Sequence, residues 1–475
     1  MPERLSPLDV SFLYLEDSDT PMHVGSVAVF RVPDGGFDYD RLVSLIRDRI
    51  AFVPRYRQRV RSVPARLANP VWVDDQDFDI TYHVRRSALP RPGTDAQLRE
   101  LVARIMSRPL DRARPLWEMY LVEGLEDGRF AVLSKTHHAV VDGTAAVDIA
   151  QVILDESPEP RETPPDTWRP ARGPSSVELV VGAVADAARR PTGVVDTVRA
   201  GLADVSHTAT RAVGALGGLA SAVRVAASRA PHSPLNAPIG SQRRYAMADT
   251  LLDDYRRIRS AHGGTVNDVV LAVVAGALRA WLLTRGESVR PSTAVRAMVP
   301  VSVRTSDEEG VVGNRVSSYL VDLPVGEPSP VVRLHRVSYA MKAHKEGGQA
   351  VGAEALVGIA GFAPPTLHAL GARVASGLSR RVYNLVVTNV PGPQVPLYAG
   401  GARLLAAYPV VPLAQGQALS VGLTSYDGGV FYGLNADRDA MPDVDVLAQC
   451  LVDAVDELSD TVATPRARKP KRRNA

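Results

Sequence analysis

Apolar and polar residues alternate along some stretches of this chain and recur every three to four residues along others, which separates its strands from its helices. Met22-His-Val-Gly-Ser-Val-Ala-Val-Phe30 and Phe130-Ala-Val-Leu-Ser-Lys-Thr136 read as strands. Asp127-Gly128 stands between the run Arg114–Gly124 and the second of these strands. Asp-Gly in that setting is a strong hairpin signal, so the strand is expected to be delivered by a hairpin whose other arm carries Pro115-Leu116-Trp117, with Trp117 as a core anchor. Further strands are expected over 294–303, 315–323 and 383–390, with a closing pair, 419–425 and 430–434, that turns at Asp427-Gly428-Gly429. Leu42, Leu45, Ile46 and Ile50 form a helical stripe, and helices are also expected over 251–262, 331–345, 353–378 and 444–458. The run from Val266 to Leu278 is apolar nearly all round, which predicts a buried helix. Ser6 with Pro7 and Asp9, and Thr265 with Asp268, have the form of helix N-termini. Strands and helices mix in both halves, the pattern of an α/β (α+β) protein.

The pattern breaks in the middle. Residues 156–165 are proline-rich and charged, and 177–230 are mainly Ala, Val, Gly, Leu and Arg, with helices expected to break near Pro191. The divisions expected are an N-terminal subdomain over 1–155, a linker and helical crossover over 156–235, a C-terminal subdomain over 236–460, and a disordered basic tail over 461–475. A chain of 475 residues suits two domains, and an apolar content of 45% supplies sizeable cores. A net charge of +3 does not describe a nucleic-acid binder, so no nucleic-acid partner is expected. The single cysteine, Cys450, lies in an apolar stretch, excludes an internal disulfide and fits a reducing, cytoplasmic-side location. The N-terminus lacks the apolar region of a signal peptide, and Pro409, Pro412 and Gly416 interrupt the longest uncharged run, 404–426, so no transmembrane helix is expected. An amphipathic helix within 177–230 and the polybasic end 465–473 suit a membrane surface; a plain helical bridge and a solubilising tail are the simpler readings. Arg47, Arg49, Arg55, Arg57, Arg59 and Arg61 form a basic cluster that either holds anions, such as the phosphates of a nucleotide like CoA or an anionic membrane, or is a solvated face.

The candidate chemistry lies in His137-His-Ala-Val-Val-Asp-Gly143, between the strand 130–136 and a helix expected over 144–154. Alternation along a strand sends His137 and His138 to opposite faces, one of them toward a cleft. A neutral imidazole near pH 7 takes a proton from a hydroxyl as that oxygen attacks an acyl carbon, and His138 is assigned this role. Asp142 and Gly143 supply turn chemistry and a helix cap, or Asp142 fixes the imidazole. A purely structural histidine pair is the bland reading. Metal ligation by His137, His138 and Asp142 is disfavoured because opposite-facing histidines chelate poorly, and no metal is expected. Asn267 and Asp268 either cap their helix or face the cleft. Thr388 and Asn389, at a strand end, are candidates to stabilise an oxyanion. His23 is a second polar group, expected to be satisfied by packing. No serine elbow is present, which favours direct transfer over a covalent acyl-enzyme.

The string HHxxxDG resembles the motif of the CoA-dependent acyltransferase superfamily, in which the second histidine, here His138, is the base and the aspartate, here Asp142, is largely structural. Leu5-Ser-Pro7, Pro21-Met-His-Val-Gly25, Pro115-Leu-Trp117, Asn236-Ala-Pro-Ile-Gly240, Asn267-Asp-Val-Val270, Gly313-Asn314 and Asn389-Val-Pro-Gly-Pro393 follow in order. Together they resemble the bacterial wax ester synthase/diacylglycerol acyltransferase family over essentially the whole chain, the basic tail excepted. The resemblance implies two chloramphenicol-acetyltransferase-like subdomains, each a mixed sheet flanked by helices, with a crossover and a tunnel between them. It implies transfer of a long-chain acyl group from acyl-CoA, as substrate and with no cofactor, to diacylglycerol or a long-chain alcohol. It also implies a peripheral position on the cytoplasmic side of the inner membrane or on lipid bodies. A condensation-type enzyme using carrier-protein thioesters and a non-catalytic lipid-droplet protein are the alternatives.

Overall fold

A computed structural model describes residues 2–141, 149–189, 229–303, 315–346, 351–352 and 382–462. The described strands are β1 His23–Arg31, β2 Gln58–Arg61, β3 Val71–Asp74, β4 Val84–Ala88, β5 Trp117–Leu125, β6 Arg129–His137, β7 Arg243–Leu251, β8 Val295–Val303, β9 Arg315–Leu323, β10 Val351–Gly352, β11 Leu385–Pro391, β12 Tyr398–Ala399, β13 Ala402–Val410, β14 Leu419–Tyr426 and β15 Gly429–Asp437. They form a six-stranded sheet in the order β12-β13-β1-β6-β5-β4, a seven-stranded sheet in the order β10-β9-β8-β11-β14-β15-β7, and a two-stranded ribbon of β2 and β3. Both large sheets are mixed: β4 runs parallel to β5, and β11 runs parallel to β8 and β14. The described helices are α1 Pro7–Leu15, α2 Tyr39–Arg49, α3 Ile80–His83, α4 Asp95–Met106, α5 His138–Val141, α6 Ile149–Val152, α7 Ser176–Arg189, α8 Leu252–His262, α9 Val266–Thr284, α10 Pro330–Glu346 and α11 Val444–Ser459. Each large sheet has its own apolar core.

The local signals act as the residues dictate. Ser6 and Asp9 close a capping box on α1, and Thr265 and Asp268 close one on α9. Asp127 and Gly128 both take positive φ, 60° and 63°, between β5 and β6, and Asp427 and Gly428 do the same, at 42° and 82°, between β14 and β15. Two left-handed residues give the turn whose twist matches paired strands. Helix α9 alone among the described residues has the length and apolarity of a membrane span, but it is mostly buried in the second core. Cys450 is buried in the same core.

The first sheet is not built from the N-terminal part alone. Strand β13 lies between β12 and β1, with Gly25 opposite Val410 and Val27 opposite Tyr408. It also presses on the second sheet. Gly422 and Gly433 form a cross-strand pair of β14 and β15, and a Cβ on Gly433 would lie 1.9 Å from the Pro409 carbonyl oxygen. A Cβ on Gly422 would lie 3.0 Å from the Pro409 ring. This pair of glycines is the notch that lets a strand from one sheet lie against the other.

Several sequence expectations change. Most of the Arg47–Arg61 cluster is engaged within the protein itself. Arg49 is buried and forks onto Asp155, Arg57 pairs with Asp166, Arg55 with Glu3, and Arg61 donates to the Pro174 carbonyl. Arg57 and Arg61 tie the linker back onto the first half. The helix expected over 144–154 is seen only as α6, because 142–148 lie outside the described residues, as do 353–381, 190–228 and 463–475. Helix α4 and strand β7 had no counterpart in the sequence reading.

Candidate active site

Strand β6 brings its last residue, His137, opposite His23, the first residue of β1. The chain then turns at once. His138 is the first residue of α5 rather than the next residue of a strand, so strand alternation does not set its direction. Two main-chain hydrogen bonds fix the step. The His137 N–H donates to the Leu116 carbonyl and the His138 N–H to the Met22 carbonyl, both at 2.9 Å. The pair is thereby clamped between the residues that lead into β5 and β1. His137 is fully buried, while His138 keeps partial exposure and stacks on Phe12 of α1, with ring centroids 4.1 Å apart and planes 20° apart.

Behind the step lies a polar cluster. The Ala139 N–H donates to His137 Nδ1 at 3.1 Å, which leaves the proton of the neutral ring on Nε2. That atom lies 3.7 Å from Glu16 Oε2, and His23 Nε2 lies 3.1 Å from Glu16 Oε1. Arg112 Nε donates to Glu16 Oε2 at 3.0 Å, and the Met22 N–H donates to Oε1 at 3.2 Å. Burial pushes the His137 pKa down to about 3, against the pull of Glu16, and burial also lowers that of His23. Both imidazoles are therefore neutral at pH 7. Burial raises the pKa of Glu16, but hydrogen bonding with His23, the nearby imidazoles and Arg112 outweigh it and hold the carboxyl at about 2. Arg112 is the lasting cation of this group.

Three neighbours went unread in the sequence. Lys135 is fully buried on β6, and burial pushes its pKa down to about 8 against the attraction of Glu118. Its ammonium donates to the carbonyls of Ile105, at 3.1 Å, and Arg108, so it closes the C-terminus of α4. A charge inside an otherwise apolar strand was the signal for it. His83, sandwiched between Phe78 and Trp117, has its Nδ1 2.8 Å from the Trp117 carbonyl oxygen, and burial lowers its pKa to about 4. Glu16 gave no signal, because its partners lie on other elements.

Trp117 is buried and donates to the Tyr56 carbonyl at 2.8 Å, while Pro115 accepts from the Trp117 N–H. Leu116 lines an apolar cavity of about 190 Å³ with Val10, Leu13, Val60 and Val63, beside Arg112. In the second half the structure brings together two residues far apart in sequence: the Asn389 side-chain amide, on β11, donates to Asn267 Oδ1 at the start of α9, 3.2 Å away. Thr388 precedes it on β11, opposite Gly422. Asp268 is a cap: it accepts from the Thr265 N–H at 2.8 Å and from Ser338 at 3.1 Å. Asp142 and Gly143 lie outside the described residues.

Known proteins place this arrangement. The catalytic domain of wax ester synthase/diacylglycerol acyltransferases matches residues 5–270, and the C-terminal domain of the same proteins matches 312–459. The chain belongs to the wax ester synthase/diacylglycerol acyltransferase family. It is an acyltransferase. A probable diacylglycerol O-acyltransferase of Mycobacterium tuberculosis is 36% identical over 472 residues, covering 99% of this chain and 98% of that one. A second protein of the same description and organism is 35% identical, covering 97% and 99%. The wax ester synthase/diacylglycerol acyltransferase of Marinobacter aquaeolei superposes with a TM-score of 0.69 at 30% identity, over 97% of this chain and 99% of that one. The first condensation domain of a calcium-dependent antibiotic synthetase has a TM-score of 0.57 at 16% identity, over 98% of each chain, and shares the fold alone. The two-sheet α/β architecture is that of the family and of condensation domains.

Proposed function

We propose that this acyltransferase moves a long-chain acyl group from acyl-CoA to the hydroxyl of diacylglycerol, with long-chain alcohols as second acceptors, and that His138 is the general base. The observation that carries this reading is the step at the end of β6. One histidine is buried and neutral, and the next is turned out to partial exposure on a backbone clamped at 2.9 Å from both sides. His138 takes the hydroxyl proton as the oxygen attacks the thioester carbonyl. The C–S bond breaks, and the same imidazole returns the proton to the departing thiolate. His137 supports the turn, and Asp142 and Gly143 continue it. The apolar cavity beside Leu116 suits a hydrocarbon chain. An Asn amide carries two N–H groups, and Asn389 gives one to Asn267, so Asn389 and its neighbour Thr388 are our candidates for binding the oxyanion.

A lipid surface supplies such acceptors. Helix α7 turns Leu179 and Ala183 inward onto the β2–β3 ribbon and leaves Val177, Val181 and Val184 exposed as an apolar stripe. That stripe supports a peripheral membrane or lipid-body location.

Thiol release from palmitoyl-CoA, measured with dioleoylglycerol, hexadecanol or no acceptor, tests the reading. Release is expected to depend on acceptor and to fall by at least about a hundredfold in His138→Ala, the loss typical for a general base, with the melting temperature little changed. Near-normal turnover in that variant would remove His138 from the role.

A further inference from the structure

A second cavity, of about 490 Å³, lies where the two halves meet, between α4, the start of β7 and the residues that flank the last strand and helix. Its volume is that of a small-molecule site, roughly 300–1,000 Å³, but its lining is cationic. Arg99 and Arg104 reach it from α4, Arg243 and Arg244 from β7, and Arg438 from the end of β15. Two carboxylates line it as well, Glu100 and Asp445, and Asp445 is engaged by Arg99 at 3.4 Å. Arg243 is buried and structural. Its guanidinium donates to the carbonyls of Gly240, at 2.6 Å, and Asp19, and its N–H donates to Ser107 Oγ at 3.1 Å. Among the described residues no carboxylate lies within 4.0 Å of the side-chain nitrogens of Arg104, Arg244 or Arg438. Three guanidinium groups thus converge on a cavity whose two carboxylates, Glu100 and Asp445, pair with none of them, a combination that phosphate oxygens satisfy through paired N–H donors.

The cavity is also close to the histidine step. Arg243 holds the Asp19 carbonyl, and Asp19 stands three residues before Met22, whose carbonyl accepts from the His138 N–H. Three residues span at most about 11 Å.

We propose that this groove holds the phosphorylated nucleotide end of the thioester donor, with Arg104, Arg244 and Arg438 as its phosphate ligands. The assignment rests on the reading of acyl-CoA as donor. It gives the donor a fixed point at the seam between the halves, from which the thioester arm leads to His138.

The test uses the double variant Arg104→Glu/Arg438→Glu in the full chain. Binding of free CoA is measured by calorimetry, and KM and kcat are measured with palmitoyl-CoA and with the palmitoyl thioester of N-acetylcysteamine, which has no phosphate. The expected result is CoA binding weakened about tenfold or more, the scale of lost charge-assisted contacts. KM for palmitoyl-CoA should rise by a similar factor at nearly constant kcat, with kinetics on the N-acetylcysteamine thioester unchanged. Unchanged CoA affinity in the variant would overturn the groove, and so would equal losses on both donors. If the wild type turns over the N-acetylcysteamine thioester but binds no CoA, the groove fails while acyl transfer stands. If the wild type turns over neither donor, the donor reading fails and takes the assignment with it.

Discussion

His137, His23 and Glu16 show how far one residue's chemistry depends on neighbours that sequence does not name. The two imidazoles are neutral in the fold because burial penalises their charged form. In the unfolded chain each takes a proton below its ordinary value of 6.5. The unfolded state then binds more protons, so stability falls as pH drops below 6.5, and His137 goes on contributing to that loss down to about 3. Glu16 has the opposite assignment with the same sign: its carboxyl is held at about 2 instead of 4.5, so the stability it adds is present above 4.5 and is lost as pH falls toward 2. Melting temperature against pH should therefore decline in two overlapping stages. In Glu16→Gln the decline below 4.5 should become shallower, keeping only the histidine contribution, while the decline below 6.5 stays; a flat profile between 6.5 and 4.5 would contradict the neutral histidines. The motif histidines themselves were legible, because strand, turn and polar residues coincide there. The Glu16–Arg112 pair was not, since nothing local to either residue calls for the other.

At the scale of elements, hairpins and caps were legible and long-range partners were not. Asp-Gly announced both tight turns, and Thr265 with Asp268 announced α9, because those signals are satisfied within four residues. Strand β13 was readable only as part of an apolar run. Its place beside β1 depends on residues that are neighbours only in space. The same holds for the basic cluster at 47–61, whose spacing suggests an anion site and whose partners, Asp155 and Asp166, lie at the end of the first subdomain and in the linker. The notch at Gly422 and Gly433 is the clearest demand that packing places on sequence. A methyl group at Gly433 has no room against the Pro409 carbonyl. Gly433→Ala is expected to cost roughly 1–3 kcal/mol through overpacking, read as a lower urea midpoint with unchanged m-value. An unchanged midpoint would mean that β13 does not lie on β15 in solution.

For the whole molecule, the pairing of β13 with β1 makes the two halves unequal partners. Without β13, β1 would be a nine-residue sheet edge carrying Val27 and Val29, the kind of exposed strand that templates association. A chain ending at residue 235 is therefore expected to aggregate, and a synthetic peptide covering 396–412 should restore part of its solubility. A soluble, monomeric 1–235 fragment with cooperative melting would show that the first sheet stands without its borrowed strand. The same topology sets an order of events on the ribosome. Val27 emerges first, and Tyr408, its partner, almost four hundred residues later. At elongation rates of about 5–20 residues per second, the wait is tens of seconds. Throughout that interval a nascent chain presents an open edge, so the yield of enzyme in a living cell is tied to whatever shelters β1 until β13 has been made.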